Sequence, residues 1–165
     1  MNKQRPSALL KVFFKIPLFV HKLGFGGWER IIGAQWMLVT TIGRKSGKRR
    51  QAMVDVLLHN GQTDTYYILS AYGSRADWVR NIQTNPRFEA QVGRRKFSAR
   101  ATTLSSENAG EMLVQFYRLK PAYTRAVMNA AGMKFKDEDD LRTLGGRLLL
   151  LAVNPQTEDA DHPPT

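Results

Sequence analysis

The fold is decided by residues 35–71, which read QWMLVTTIGRKSGKRRQAMVDVLLHNGQTDTYYILSA. Three runs in this stretch are rich in β-branched and large apolar residues, a composition typical of β-strands. They span residues 35–42, 52–58 and 65–71. A glycine-bounded polar loop joins the first two runs, and the Asn60-Gly61 pair after the second is a strong hairpin signal. The stretch therefore predicts three consecutive antiparallel strands.

Helix and strand patterns follow this stretch. Ser74, with Asp77 three residues later, forms a capping-box pattern that predicts a helix, and Asn85-Pro86 ends it. Residues 88–92 and 96–103 have strand patterns. These elements place one helix between the first three strands and the next two.

The last third of the chain is predicted to be helical before it returns to the sheet. Ser105 is a suitable N-cap for a helix in which Met112, Phe116 and Leu119 share one face. The remaining elements are a helical stretch to about residue 131, a polar loop at 136–140 and an apolar strand at 147–153.

The order of these elements is not the regular strand–helix alternation of a parallel doubly wound sheet. Strands linked by hairpins indicate an antiparallel sheet or barrel with helices packed outside. We therefore predict an α+β fold in a single domain over residues 1–155. An N-terminal amphipathic helix at about residues 6–22 would begin it, and an acidic, mobile tail over residues 156–165 would follow it.

Composition and charge narrow the function. The 165 residues include 42% hydrophobic and 24% charged residues, which fits a folded soluble domain. With no cysteine, disulfides and thiolate sites are excluded, and we predict a cytoplasmic protein. The formal net charge of +11 predicts an anionic partner, which could be nucleic acid, anionic lipid or a polyanionic small molecule.

Residues 8–20, ALLKVFFKIPLFV, resemble the outline of a signal peptide after a basic start. Lys11 and Lys15 interrupt the apolar run, which is also shorter than the ~20 residues of a membrane span. We predict an amphipathic helix instead. It either covers the core of the domain or contacts the inner face of an anionic membrane.

The sharpest local feature is the basic hairpin, residues 43–50, which reads GRKSGKRR. Five of its eight residues are basic, and glycines allow its backbone amides to approach a ligand closely. The spacing is not that of a Walker loop. Its pattern fits an anion-binding turn between two strands, although a solvated basic turn or a contact with nucleic-acid phosphates is an alternative.

The chain lacks recognisable catalytic residues of its own. No Ser-His-Asp arrangement or metal-ligand spacing is present, so we predict neither a catalytic triad nor a metal site. Asp55 is a single acid among apolar strand residues, and we expect it to face outward or to pair with a base. An enzyme built on this sequence would need a bound cofactor to carry the chemistry.

Three segments together carry a resemblance to a known family. They are LVTTIGRKSGKRR at 38–50, AYGSRADWVRNIQTNP at 71–86 and RLLLLAVNP at 147–155. From about Gln35 to Pro155 the chain resembles the deazaflavin-dependent nitroreductase family, which uses reduced coenzyme F(420). The resemblance implies a split β-barrel related to flavin-nucleotide-binding oxidases, and a reductase that passes a hydride to a small conjugated acceptor such as a quinone, enone or nitro compound.

The same resemblance implies roles for particular residues. The acidic tail of the cofactor would bind Arg44, Lys45, Ser46, Gly47 and Arg50. The deazaflavin ring would lie against Ala71, Tyr72 and Gly73, with Trp78 in the helix behind them. Phe13, Tyr117 and Tyr123 would wall the acceptor pocket. Many members have Ser-Lys-Gly-Gly where this chain has Ala-Tyr-Gly-Ser at 71–74, so the hydroxyl and ammonium expected near the ring are missing, and a quinone-like acceptor is an alternative to a nitro compound.

Alternatives to this reading differ in the ligand. FMN could place its single phosphate in the same loop of the same barrel, and a non-enzymatic carrier of lipid or cofactor could share the fold. Nucleic-acid binding is less favoured because no aromatic residues are interleaved with the basic run. The predicted partner is thus a small molecule, and split barrels of this kind can form homodimers.

Overall fold

The computed structural model of the chain describes residues 35–70, 72–130 and 132–156. Within these ranges six antiparallel strands form a closed barrel in the spatial order β1-β2-β3-β6-β5-β4. They are β1 Gln35–Ile42, β2 Arg49–Asn60, β3 Thr65–Ser70, β4 Phe88–Val92, β5 Arg95–Thr103 and β6 Leu149–Pro155. The predicted N-terminal helix, and the predicted tail beyond Gln156, lie outside the described residues.

The first three strands form the predicted antiparallel meander. β1 and β2 pair continuously from Gln35 opposite Val56 to Ile42 opposite Arg49. β2 is longer than predicted because its basic first residues continue this pairing, so the connecting loop covers only residues 43–48. β1 also pairs with β4, which closes the barrel.

Alternation along the strands sends apolar side chains into the barrel. Met37, Val39 and Ile68 are fully buried there, and they lie with residues from the other strands in one core cluster. The opposite residues of each strand face outward. This alternation decides which side chains can reach a ligand inside the barrel and which can reach one outside it.

Within the described ranges, four α-helices accompany the barrel. They are α1 Asp77–Thr84, α2 Ser106–Leu119, α3 Pro121–Ala130 and α4 Glu138–Arg147. α2 and α4 pack on the outer face of the barrel, where Leu113, Phe116 and Leu141 cover Leu57 and Leu150. This confirms the predicted α+β split-barrel class. No helix in the described ranges combines the length and apolarity of a membrane span.

Close packing joins α2 to α4. A Cβ atom added at Gly110 would lie 2.6 Å from the carbonyl oxygen of Arg142, and one added at Gly145 would lie 2.8 Å from the Cα of Gly110. Both glycines are buried. The two backbones therefore approach more closely than any larger residue allows.

Three local predictions were wrong. The polar loop at 136–140 instead contains the start of α4: the side chain of Asp137 accepts a bond from the Asp140 amide at 2.9 Å, and acids in a first helical turn suit the helix dipole. Leu119 lies at the end of α2 and is 64% exposed rather than part of the buried face. Ser74 does not cap α1, because the chain forms a 3-10 turn at Gly73–Arg75 and the helix begins only at Asp77.

Candidate functional site

The basic hairpin forms a tight turn between β1 and β2. The amides of Ser46 and Gly47 donate to the Gly43 carbonyl at 3.1 and 2.8 Å, and the Gly43 amide donates to the Lys48 carbonyl at 2.8 Å. Gly47 has a φ of 63°, which favours glycine. The sequence thus fixes a compact loop that projects basic side chains from one end of the barrel.

Three of these side chains have no acidic partner among the described residues. Lys45, Lys48 and Arg50 are exposed and form no ion pair there. The other two cations of the loop are paired: Arg44 with Asp77, and Arg49 with Glu89 at 3.3 Å. Unpaired lysine and arginine side chains in one turn attract phosphate and carboxylate groups.

Arg44 fastens the hairpin to α1. Its guanidinium lies 3.0 Å from the Asp77 carboxylate and donates to Oδ1 of Asn81 at 3.2 Å. The Arg44 amide donates to the same oxygen, and the Asn81 side-chain amide donates to Thr41 Oγ1 at 3.0 Å. Asn81 is buried. The resemblance implied a cofactor contact for Arg44, and the structure gives this side chain internal partners.

The end of β3 lies next to α1. Ser70 Oγ donates to the Gly73 carbonyl at 2.9 Å and so fixes the turn that leads into the 3-10 segment. Gly73 has a φ of 56°, and the Tyr72 side chain is 37% exposed. Trp78 is partly buried against the barrel core. Ala71, which the resemblance places beside the ring, lies outside the described residues.

A second polar group lies on the outer face of β1 and β2. Trp36 and Asp55 are directly opposite each other, and the indole Nε1 donates to Asp55 Oδ1 at 2.8 Å. Tyr123 of α3 donates its hydroxyl to the same oxygen at 3.2 Å. Burial raises the pKa of Asp55, although both bonds act to lower it. We call these three residues the Asp55 cluster.

The structure agrees with the first of the two expectations for Asp55. Its side chain faces out of the barrel, since the neighbouring Val54 and Val56 face the core. It is half-buried, because α3 brings Tyr123 over it, and it forms no ion pair with a base among the described residues. That contact spans 68 residues of sequence, so no local pattern could have predicted it.

The residues expected to wall the acceptor pocket are only partly brought together. Tyr123 belongs to the Asp55 cluster and contacts the ring of Phe116 edge-on at 5.9 Å. Tyr117 instead accepts a bond from Arg125 at 2.6 Å and lies edge-on to Phe135. Phe13 lies outside the described residues.

A groove of about 490 Å³ lies beside the basic hairpin, on the outer face of β1, β4 and β5. Its lining includes Thr40, Arg49, Arg87, Glu89 and Lys96. Sequence reasoning missed this basic groove because it depends on the pairing of β1 with β4, which closes the barrel and leaves no local signal.

Comparison with known proteins identifies the family. The family model described as F420H(2)-dependent quinone reductase matches residues 21–131, more than half of the chain. The chain belongs to this family. It is therefore an oxidoreductase, an F(420)-dependent reductase whose cofactor is the deazaflavin coenzyme F(420). Among curated proteins no significant match was found.

Solved structures with similar folds share little sequence with this reductase. A protein of unknown function from Agrobacterium tumefaciens has a TM-score of 0.51 and 10% identity, over 77% of this chain and 51% of that one. An F420-H2 dependent reductase has a TM-score of 0.47 and 20% identity, over 72% and 93%. A pyridoxamine 5'-phosphate oxidase-related, FMN-binding protein from Nostoc punctiforme has a TM-score of 0.46 and 14% identity, over 86% and 78%.

The donors of the basic hairpin fit the acidic part of this cofactor. The tail of coenzyme F(420) carries a phosphodiester and carboxylates, and such groups prefer arginine forks and lysine ammonium groups. Lys45, Lys48 and Arg50 provide these donors without first having to break an ion pair with any residue of the described ranges.

Proposed function

We propose that this reductase passes a hydride from reduced coenzyme F(420) to a quinone, with the cofactor's acidic tail held by the basic hairpin. The observation that carries the proposal is the group of three cations in the basic hairpin, Lys45, Lys48 and Arg50, that lack acidic partners in the described part of the chain. The family match supports both the cofactor and a quinone as acceptor.

Lys45 and Arg50, with Ser46 and Gly47 between them, are the proposed contacts of the tail. The two cations bind its phosphodiester and carboxylates, and the exposed loop backbone approaches the ligand at Gly47. For Arg44 we propose a different role from the cofactor contact that the resemblance implied, and its bonds to Asp77 and Asn81, which hold the loop against α1, support that role. It positions the binding loop.

The end of β3 is the proposed place of the ring. Ala71, Tyr72 and Gly73 follow the last paired residue of β3, and Trp78 lies on the adjoining helix. When bound, the reduced deazaflavin supplies the hydride, and the protein orients it and excludes water.

The strand β2 connects the hairpin to Asp55, and Arg49 and Asp55 lie about 20 Å apart along it.

The acceptor pocket is proposed beside Tyr123. This residue lies over the outer face of β2, where Trp36 and Asp55 provide an aromatic wall and a polar group. A flat, conjugated quinone suits such a wall, since aromatic faces stack on one another. Phe13 and Tyr117 stay as predictions for the rest of this pocket, as do a homodimer and a membrane contact of the N-terminal helix.

The test is turnover by the purified full chain. Reduced coenzyme F(420) is mixed with a soluble benzoquinone, and the absorbance of the oxidised deazaflavin is followed. We expect oxidation that depends on protein and quinone, and a much slower reaction when reduced FMN replaces the deazaflavin. Turnover with reduced FMN but not with reduced coenzyme F(420) would contradict the proposal.

A further inference from the structure

Asp55 is a half-buried acid to which the proposed cofactor binding assigns no role. It lies on β2 opposite Leu69, one residue before the end of β3, so its backbone is next to the segment proposed to border the ring. Its side chain is on the outer face, as is that of Arg49, because β1–β2 pairing is continuous from residue 49 to residue 56. Arg49 and Asp55 therefore share the outer face of β2, whereas Arg50 lies on the opposite face.

Only one of the two carboxyl oxygens of Asp55 is occupied. Trp36 and Tyr123 both donate to Oδ1, at 2.8 and 3.2 Å. No described residue donates to Oδ2, and no buried side-chain oxygen in the described ranges lacks a partner, so Oδ2 is accessible. The cluster therefore holds the carboxyl group firmly and leaves one oxygen for a ligand.

The surroundings of Asp55 favour its neutral form. Burial raises its pKa, and the groups that face it from neighbouring elements are Trp36 on β1 and Tyr123 on α3. Tyr123 is itself held protonated, since burial and the nearby carboxyl raise the pKa of its hydroxyl. No charged side chain of the described residues contributes to the shift at Asp55, so no neighbouring cation stabilises the carboxylate.

We propose that Asp55 donates, through Oδ2, the proton that accompanies hydride transfer to the acceptor. Trp36 and Tyr123 are its positioning residues. This inference rests on the proposed function, because it requires a quinone in the pocket beside Tyr123.

The proton and electron balance is simple. The hydride brings two electrons and one hydrogen to the quinone, and the quinone oxygen that gains negative charge takes the Asp55 proton. The product is the neutral hydroquinone. The Asp55 carboxylate keeps its bonds from Trp36 and Tyr123 and then regains a proton from water.

The test compares Asp55→Asn with Tyr123→Phe in the full chain, with reduced coenzyme F(420) and a soluble benzoquinone. Asparagine retains an oxygen that can accept the bonds from Trp36 and Tyr123 but has no acidic proton. We expect the kcat of Asp55→Asn to fall about 10²-fold or more below that of the wild type, as for the loss of a general acid. Affinity for the oxidised cofactor, followed by fluorescence quenching, should be unchanged.

The pH profile separates an acid from a merely structural residue. Wild-type kcat should fall as pH rises through the pKa of Asp55, and Asp55→Asn should lack that fall. Tyr123→Phe removes a donor to the carboxylate, so the fall should move to higher pH. A ¹³C NMR titration of labelled aspartate in Tyr123→Phe and wild type should show the same direction of shift without turnover.

Two results overturn the inference. One is an Asp55→Asn variant with wild-type kcat and an unchanged pH profile. The other is a Tyr123→Phe variant whose pH profile and aspartate titration do not move. If the wild type does not pass the hydride from reduced coenzyme F(420) to the benzoquinone, the proposed function fails and this inference fails with it.

Discussion

Basic residues lie at both ends of the barrel, but the two ends differ in whether acidic side chains pair with them. At the end formed by the β2–β3 and β4–β5 turns, the Arg95 guanidinium binds both oxygens of Asp64, at 2.7 and 2.5 Å, and His59 Nε2 lies 3.0 Å from the same carboxylate. At the other end, three cations of the basic hairpin have no acidic partner in the described residues. Paired charges brace the fold, and unpaired ones are available to a ligand.

The largest expected effect is on the hairpin. Lys45→Ala/Arg50→Ala should weaken binding of oxidised coenzyme F(420) by ~3–6 kcal/mol, since a charged hydrogen bond contributes about 1.5–3 kcal/mol. That is a loss of about 10²–10⁴-fold in affinity, measured by fluorescence titration. Thermal stability should not fall, because neither cation has an ion-pair partner among the residues that the structure describes.

Arg94→Ala is the matched control for this pair. Arg94 is an exposed cation in the β4–β5 turn, at the paired end of the barrel. Its removal should leave cofactor affinity close to that of the wild type. A loss of binding free energy in Arg94→Ala about half that of the double variant, which removes two charges, would mean that overall charge, and not the hairpin, attracts the cofactor.

Asn81→Ala should affect stability and binding together. The buried Asn81 amide bonds both the hairpin, at Arg44, and β1, at Thr41. Its loss should lower the free energy of unfolding by about 1–3 kcal/mol and weaken cofactor binding by less than the double variant does. Chemical denaturation and the same titration measure both effects, with exposed Gln83→Ala as control. Binding that is unaffected would show that the hairpin does not depend on α1.

The smallest expected effect is a loss of stability at low pH, at the end of the barrel where Asp64 contacts Arg95 and His59. Arg95 and His59 hold the pKa of Asp64 at about 2, below its ordinary value of 3.8. The stabilisation is therefore present above pH 3.8 and is lost as pH falls through about 2. Because the pair is well exposed, it should contribute no more than about 1 kcal/mol.

Asp64→Asn tests this brace without disturbing the turn. Asp64 has a φ of 50°, a conformation that asparagine tolerates well. The variant should be slightly less stable than the wild type at pH 5, with the difference shrinking toward pH 2, and its cofactor affinity should not change. A loss of affinity would show that the two ends do not act separately.

Local patterns predicted most of the strands. β1 matched residue for residue, and Ser105 caps α2 as expected, with its side chain 3.2 Å from the Asn108 amide. These features depend on alternation or on side chains near their own backbone. α4 was missed because the four consecutive acids at 137–140 resemble a solvated loop, while the buried Gly110–Gly145 contact that favours the helix is tertiary.

In the candidate site, too, local features could be predicted from the sequence and tertiary contacts could not. The basic hairpin could be predicted because a turn between two strands and its charges are local. The bond from Arg44 to Asn81 and the contact of Tyr123 with Asp55 could not, because they join residues 37 and 68 positions apart. Only the tertiary fold brings these partners together.

The most direct measurement of the central claim is a comparison of two ligands on two proteins. Oxidised coenzyme F(420) and a deazaflavin without the phosphodiester and glutamates are each titrated into the wild type and into Lys45→Ala/Arg50→Ala. The wild type should prefer the complete cofactor strongly, and the double variant should bind both ligands with nearly equal affinity. A double variant that keeps the full preference would show that the acidic tail binds elsewhere.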